Sequence, residues 1–291
     1  MKEEHLTRHT ITEDTIKKYL TYLREAEKSE ATAEKYGRAL RSLLAWLTQR
    51  ERDTQGELSK EALLRWKREL AESYAAGTVN TMLAAVNGYL DFSGFPQYRI
   101  KPLKVQRRIF RDRERELTRA EYMRLIETAK REGNHRLALI METLGSTGIR
   151  ISELRFITAE AVRYGEATVN CKGKRRPVLL PKNLRRLLRD WCKEQSITAG
   201  PVFITSGGRP VDRSNIWHEM KRVCEKAGVD SRKVFPHNLR HLFAVVYYKA
   251  TRDIAKLADL LGHASITTTR IYLMESGLTH RRQIERLGLV V

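Results

Sequence analysis

The sequence predicts a mainly α-helical chain of two domains, with one small antiparallel β-sheet in the second. Three observations predict it. Apolar residues recur at helical spacing through residues 10–93, with no strand pattern between them. The character changes abruptly at 99–119, where nine Lys/Arg and three Asp/Glu occupy twenty-one positions. Further on, residues 167–171 and 177–180 alternate about Lys172-Gly173-Lys174-Arg175, as a β-hairpin with a basic tip does. At 291 residues the chain is also long for one domain. The boundaries that follow are an N-terminal helical bundle over 1–98, a basic linker over 99–116 and a second domain over 117–291.

In the first domain Thr12 is placed to cap helix one. Helix two carries the stripe Tyr36, Leu40, Leu43, Leu44 and Leu47 opposite Lys35, Arg38 and Arg41. Ser59 caps helix three, with Glu61 in its first turn and Leu63, Trp66 and Leu70 inward. Helix four starts near Thr78, repeats Val79, Met82, Leu83, Val86 and Leu90, and stops by Gly94 and Pro96.

The second domain opens on a capping box, Thr118 with Glu121, and Tyr122, Leu125, Ile126 and Ala129 give the buried face. A helix over 135–145 runs to Gly148, where Arg150 begins a further turn. After the hairpin come helices over 183–194 and 213–227, separated by a short strand at 201–205. Pro236 suits another helix start, followed by a helix-forming run to Gly262, a stop signal. Ser265 then caps a short helix leading to Tyr272. No internal repeat or low-complexity segment interrupts this order.

Lys+Arg 55 against Asp+Glu 35 gives a net charge of +20, an excess that speaks to polyanionic partners rather than to fold. No run approaches the ~18 apolar residues of a membrane span, and residues 1–5 open no signal peptide. Cys171, Cys192 and Cys224 are too few and too scattered for a disulfide framework or a metal cage, which predicts a reducing compartment, the cytoplasm. The linker reads both as a solvated charge run and as a segment lying against phosphates: Lys101, Lys104, Arg107 and Arg108 are its candidate contacts.

The chemistry concentrates near the C-terminus. His237 and Arg240, three apart, share a helical face close to a helix N-terminus, where an imidazole and a guanidinium make a receptor for an anionic oxygen. An unbroken helix would put His263 and Tyr272 on opposite sides at ~100° per residue. The break at Gly262 lets them converge.

These residues carry a resemblance. The stretch PHNLRHLFA followed by LLGHASITTTRIY resembles the C-terminal signature of the tyrosine recombinases, the phage-integrase and Xer-type family. Thr147, Gly148, Ile149, Arg150, Ser152 and Glu153 resemble that family's first catalytic box, and the segment from Cys171 to Arg176 resembles the hairpin bearing its lysine. The boxes stand in family order along nearly the whole chain. The resemblance implies a core-binding DNA domain followed by a catalytic domain. Its implied catalytic set is Arg150, Lys172, His237, Arg240, His263 and Tyr272. Tyr272 would be the nucleophile, forming a 3′-phosphotyrosyl link to DNA, and strands would be exchanged through a Holliday junction. Arg150 and Arg240 would present planar forks to the phosphate oxygens, a task lysine does poorly. Lys172 would protonate the 5′-oxygen leaving group, with Lys174 as the neighbouring candidate. His237 would take the tyrosine proton, His263 would donate on the phosphate side, and Glu153 would support the basic cluster. Lys174, Arg175 and Arg176 join the linker residues as DNA contacts.

The partners so implied are double-stranded DNA with a specific recombination site, a homotetramer on that DNA, and optionally accessory DNA-bending proteins, on the nucleoid and away from membrane. No cofactor is implied. Carboxylates are not grouped for two metals, and Gly145-Ser146-Thr147-Gly148 lacks the Gly-Lys-Ser/Thr of a phosphate loop, so the reaction would need neither metal nor ATP.

Taken singly, each residue has an ordinary alternative: Tyr272 a packing residue, Arg150 a helix cap, His263 a turn residue, Lys172 a nonspecific phosphate contact. Their joint occurrence in one order overrides those readings. Two rivals remain beside the recombinase, a type IB topoisomerase and a DNA-binding regulator on a recombinase-like fold. Leu273 and Met274 replace the family's usual Thr-His, and residues 248–253 replace its Gly-x-Asp turn. The role is open between chromosome-dimer resolution, integration and excision of a mobile element, and inversion.

Overall fold

The computed structural model describes residues 10–50, 57–105, 115–171, 174–205, 207–263, 265–273 and 285–287. The chain divides into two compact units, Met1–Arg107 and Arg108–Val291.

The first unit is a bundle of four helices: α1 (Glu13–Glu25), α2 (Glu30–Arg50), α3 (Lys60–Ser73) and α4 (Ala76–Phe92). Thr12 caps α1 by accepting from the Thr15 N–H, and Ser59 caps α3 by accepting from the Ala62 N–H, both local solutions to the orphan donors of a helix start. The predicted stripes meet in one core, where Leu40, Leu43, Leu47, Leu63, Trp66, Val79, Leu83, Val86 and Leu90 are buried. After a short 3-10 turn at Pro96–Tyr98, residues 99–105, read from composition as the start of a linker, lie along this unit. Asn87 accepts from the Ile100 N–H at 3.0 Å and donates to the Ile100 carbonyl at 2.9 Å. Asn80, two turns earlier on α4, does the same for Leu103 at 2.7 and 2.9 Å. Lys67 donates to the Lys101 carbonyl at 2.7 Å, and Lys60 to the carbonyls of Gln97 and Arg99. Ile100 is consequently buried.

The second unit begins with α5 (Arg119–Arg131), closed at its start by the predicted Thr118–Glu121 capping box. It continues with α6 (His135–Thr147), a 3-10 helix (Ile151–Phe156), α7 (Ala159–Tyr164), the strands β1 (Glu166–Cys171) and β2 (Lys174–Leu179), and α8 (Lys182–Glu194). The strands pair antiparallel, with Cys171 opposite Lys174 at the tip. Then come α9 (Arg213–Lys226), α10 (Pro236–Thr251), α11 (Ile254–Leu261) and α12 (Ile266–Arg270), which passes into a 3-10 turn at Ile271–Leu273. The core gathers Leu125, Leu137, Ile140, Met141, Leu144, Ile149, Leu188, Met220 and Leu239.

The structure departs from the expected elements in two places. The strand expected over 201–205 is reduced to isolated bridges, Thr158 with Pro201 and Ile204 with Pro210. Prolines at both bridges lack the N–H that would extend a ladder. The run after His241 is two helices: Arg252 takes a left-handed conformation at φ 57°, and Asp253 caps α11 by accepting from the Lys256 N–H. No helix among the described residues is long and apolar enough to cross a membrane.

Candidate active site

The site is built on the turn that follows α6. Gly148 ends that helix at φ 65°, and a Cβ there would collide with the Phe243 ring on α10, so both conformation and packing call for glycine. The chain leaves extended at Arg150, which starts the 3-10 helix. Glu153 folds back on it: Oε2 accepts from the Arg150 backbone N–H at 2.8 Å and Oε1 from its Nη1 at 2.9 Å. The Glu153 side chain is 2% exposed. A carboxylate so buried is costly without partners, and here Arg176 Nη2 lies 2.7 Å away on the other side.

Pro236 stands at the first position of α10, pre-set for a helix, and Arg240 follows one turn later on its buried side. Arg240 is 1% exposed. Its Nη1 donates to the Gly148 carbonyl at 2.7 Å and its Nη2 to the Leu261 carbonyl at 2.6 Å, while its buried Nε has no partner among the described residues. Burial, then the charge of Arg150, lowers its pKa to about 10. A desolvated guanidinium with an unspent donor is costly in isolation, and an anionic oxygen that reached it would offset that cost.

Gly262 ends α11 in the left-handed region, and Ser265 caps α12 by accepting from the Thr267 N–H, as the spacing predicted. The break brings His263 and Tyr272 together. His263 Nε2 sits 3.0 Å from Arg240 Nη2, an atom that can only donate, so Nε2 accepts and Nδ1 carries the proton. Nδ1 then donates to Thr269 Oγ1 at 2.8 Å. Burial first, then the charges of Arg240, Arg150, Arg176 and His237, pushes the His263 pKa down to about 4. The ring is neutral at physiological pH.

Tyr272 is 6% exposed and packs with Ala244, Leu257 and Leu261. Its hydroxyl stands 3.3 Å from His237 Nε2. Three imidazoles surround its ring, those of His237, His241 and His263, with centroids 5.6, 5.5 and 5.6 Å away. The ring is thus seated in packing while its oxygen meets the exposed His237.

Arg150, Glu153, His237, Arg240, His263 and Tyr272 therefore converge. Lys172, Arg107 and Arg108 lie outside the described residues; Lys174 is described only as the first residue of β2. Lys101 and Lys104 are exposed on the first unit and Arg175 on the second. Arg176, expected among the DNA contacts, turns inward to Glu153 and to the Leu260 carbonyl, with its side chain 14% exposed. Sequence reasoning did not single out His241 or Thr269. His241 carried a signal, since it stands four residues after His237 on the same helical face. Thr269 did not: it is one of three consecutive threonines. Among the described residues no group of three or more His, Cys, Asp or Glu is placed to hold a metal ion.

Two arginines, a buried carboxylate between cations and a tyrosine hydroxyl beside an imidazole are thus brought together in one place. Residues 115–277 match the phage integrase family and residues 16–93 the N-terminal SAM-like domain of phage integrases, and the chain belongs to this family. It is 30% identical over 291 residues to tyrosine recombinase XerA of Thermococcus kodakarensis, covering 95% of this chain and 96% of that protein. To XerA of Pyrococcus furiosus it is 26% identical over 290 residues, covering 97% and 96%. The fold resembles that of the XerH site-specific recombinase bound to its difH substrate in a pre-cleavage complex, with a TM-score of 0.71, 18% identity and coverage of 96% and 85%. A lambda integrase tetramer bound to a Holliday junction aligns with a TM-score of 0.71, 16% identity and coverage of 92% and 78%.

Proposed function

We propose that the chain is a site-specific DNA recombinase that breaks and rejoins strands through Tyr272. The observation that carries this reading is the hydroxyl of Tyr272 held 3.3 Å from His237 Nε2, beside the Arg150 and Arg240 guanidinium groups. The Tyr272 oxygen attacks the scissile phosphorus and its proton passes to His237 Nε2. An Oη–P bond forms, the P–O5′ bond breaks, and the 5′-oxygen takes a proton from Lys172 on the hairpin. Arg150 and Arg240 neutralise the charge that grows on the non-bridging oxygens, a contribution that at comparable sites is commonly ~10²–10³ in rate per donor. The 3′-phosphotyrosyl link conserves the energy of the broken bond, so a second 5′-hydroxyl rejoins the strand without nucleotide, and the guanidinium groups supply the positive charge a metal would otherwise bring.

His263, neutral and accepting from Arg240, aligns that guanidinium; donation to the phosphate requires its Nε2 to exchange roles once DNA is bound. The first unit acts as the core-binding domain, and Lys101, Lys104, Arg107, Arg108, Lys174 and Arg175 contact phosphates. Relatives solved on DNA as a dimer and a tetramer support assembly of four protomers around two duplexes joined in a Holliday junction.

Trapping the protein on DNA in its native cell and sequencing what is covalently attached tests the reading and returns the target. The wild-type chain yields tyrosine-linked DNA. Tyr272→Phe yields none, yet binds the recovered duplex with unchanged affinity and salt dependence. Absence of any covalent adduct from the wild type would leave a DNA-binding regulator in its place.

A further inference from the structure

We infer that Arg176 is a positioning residue: it ties the β-hairpin to the two arginines of the site and sets their alignment. This rests on the recombinase reading. Arg176 is the third residue of β2, opposite Val169 across the hairpin, and its guanidinium reaches inward. One branch of its guanidinium, Nη2, donates to Glu153 Oε2 at 2.7 Å; the other, Nη1, donates to the Leu260 carbonyl at 2.8 Å.

Each acceptor leads to a different arginine. Glu153 holds the guanidinium of Arg150 through its second oxygen at 2.9 Å. Leu260 is followed by Leu261, whose carbonyl accepts from Arg240 at 2.6 Å. The two carbonyls belong to the last turn of α11, where unpaired carbonyls and the negative end of the helix dipole favour cations. Arg240 returns through its other branch to the Gly148 carbonyl, two residues before Arg150. The bonds thus close a ring, Arg150 to Glu153 to Arg176 to the end of α11 to Arg240 to Gly148. Arg176 is its member from the hairpin.

Gly262 shows that the path is built for this side chain. A Cβ there would stand 2.5 Å from both Cδ and Nε of Arg176, so the glycine that ends α11 also leaves the corridor through which the arginine passes. A lysine keeps the charge but cannot span two acceptors with a planar fork. The hairpin that carries Lys172 is thereby fixed to the site at one point, and the general acid and the phosphate-binding forks share a common reference.

The test uses the full-length chain and a nicked duplex carrying the sequence recovered by covalent trapping, with single-turnover formation of the Tyr272 adduct as the readout. Arg176→Lys slows adduct formation by about 10–100-fold, the penalty of a small misplacement, while DNA affinity and melting temperature stay near those of the wild type. In an Arg150→Lys background, where one of the two forks that Arg176 aligns is already gone, the same change costs several-fold less than in the wild type, because the two act as one unit. Arg176→Gln, long and uncharged, gives the same pattern and serves where the lysine variant is unstable. Full activity in Arg176→Lys, or equal losses in both backgrounds, overturns the inference. So does failure of both variants to fold, which assigns Arg176 a purely structural role. A wild-type chain that forms no adduct fails the recombinase reading itself, and the inference falls with it.

Discussion

The imidazole of His263 lies parallel to the phenol ring of Tyr272, with planes 6° apart and centroids separated by 5.6 Å. The two are nine residues apart in sequence and meet because α11 ends at Gly262 and α12 starts afresh at Ser265. Each fixes the other's surface. His263 is in turn held from both edges, by Thr269 at Nδ1 and by Arg240 at Nε2, so its tautomer follows from its neighbours.

That environment has a titration signature. With burial and the flanking arginines lowering its pKa to about 4, His263 stays neutral across pH 5–8, and ring-nitrogen NMR should place its midpoint well below 6.5. An unfolded histidine takes its proton near 6.5. Between those values the unfolded chain binds more protons than the folded one, so this group's contribution to stability is present above about pH 6.5 and is lost as the pH falls toward 4. Denaturant titrations at stepped pH show that decline, and His263→Phe flattens it. A midpoint near 6.5 in the folded protein would refute the depressed pKa.

Gly148→Ala tests the turn before Arg150. The left-handed backbone costs a residue with a Cβ about 1–2 kcal/mol, and the collision with Phe243 adds the about 1–3 kcal/mol of overpacking. Urea denaturation should show a loss of about 2–5 kcal/mol. Adduct formation should fall further than stability explains, since the Gly148 carbonyl also receives Arg240 Nη1.

Asn80 and Asn87 give a prediction for the first unit. Each amide serves both backbone groups of one residue, so alanine at either position strips Leu103 or Ile100 of two hydrogen bonds. Unpaired groups near buried Ile100 cost about 1–3 kcal/mol. Hydrogen exchange reads this directly: the amides of Ile100 and Leu103 are protected in the wild type, and each loses protection in its own variant. Protection that survives both changes would show that other contacts hold the segment.

Much of this was legible in the sequence, where the determining interactions are local. Thr12, Ser59, Thr118 with Glu121 and Ser265 announce helix starts because a cap involves residues two or three apart. Gly148 and Gly262 announce stops because only a left-handed residue closes those turns easily. The family motifs supplied the site residues, and Arg150, His237, Arg240, His263 and Tyr272 meet in one place. Reading failed where a partner is distant or the signal is generic. Arg176 looked like one more basic residue of a basic hairpin; its partners are 23 and 84 positions away. Arg252 adopts a left-handed conformation that nothing in its identity suggests. The amides that hold residues 99–105 are ordinary-looking asparagines on a helix, and composition alone marks that stretch as unattached.

Glu153 closes the start of a 3-10 helix with one oxygen and grips a guanidinium with the other. The shape of that turn and the placement of the Arg150 guanidinium consequently depend on the same side chain. A substitution that loosens this backbone therefore also loosens the hold on the Arg150 guanidinium.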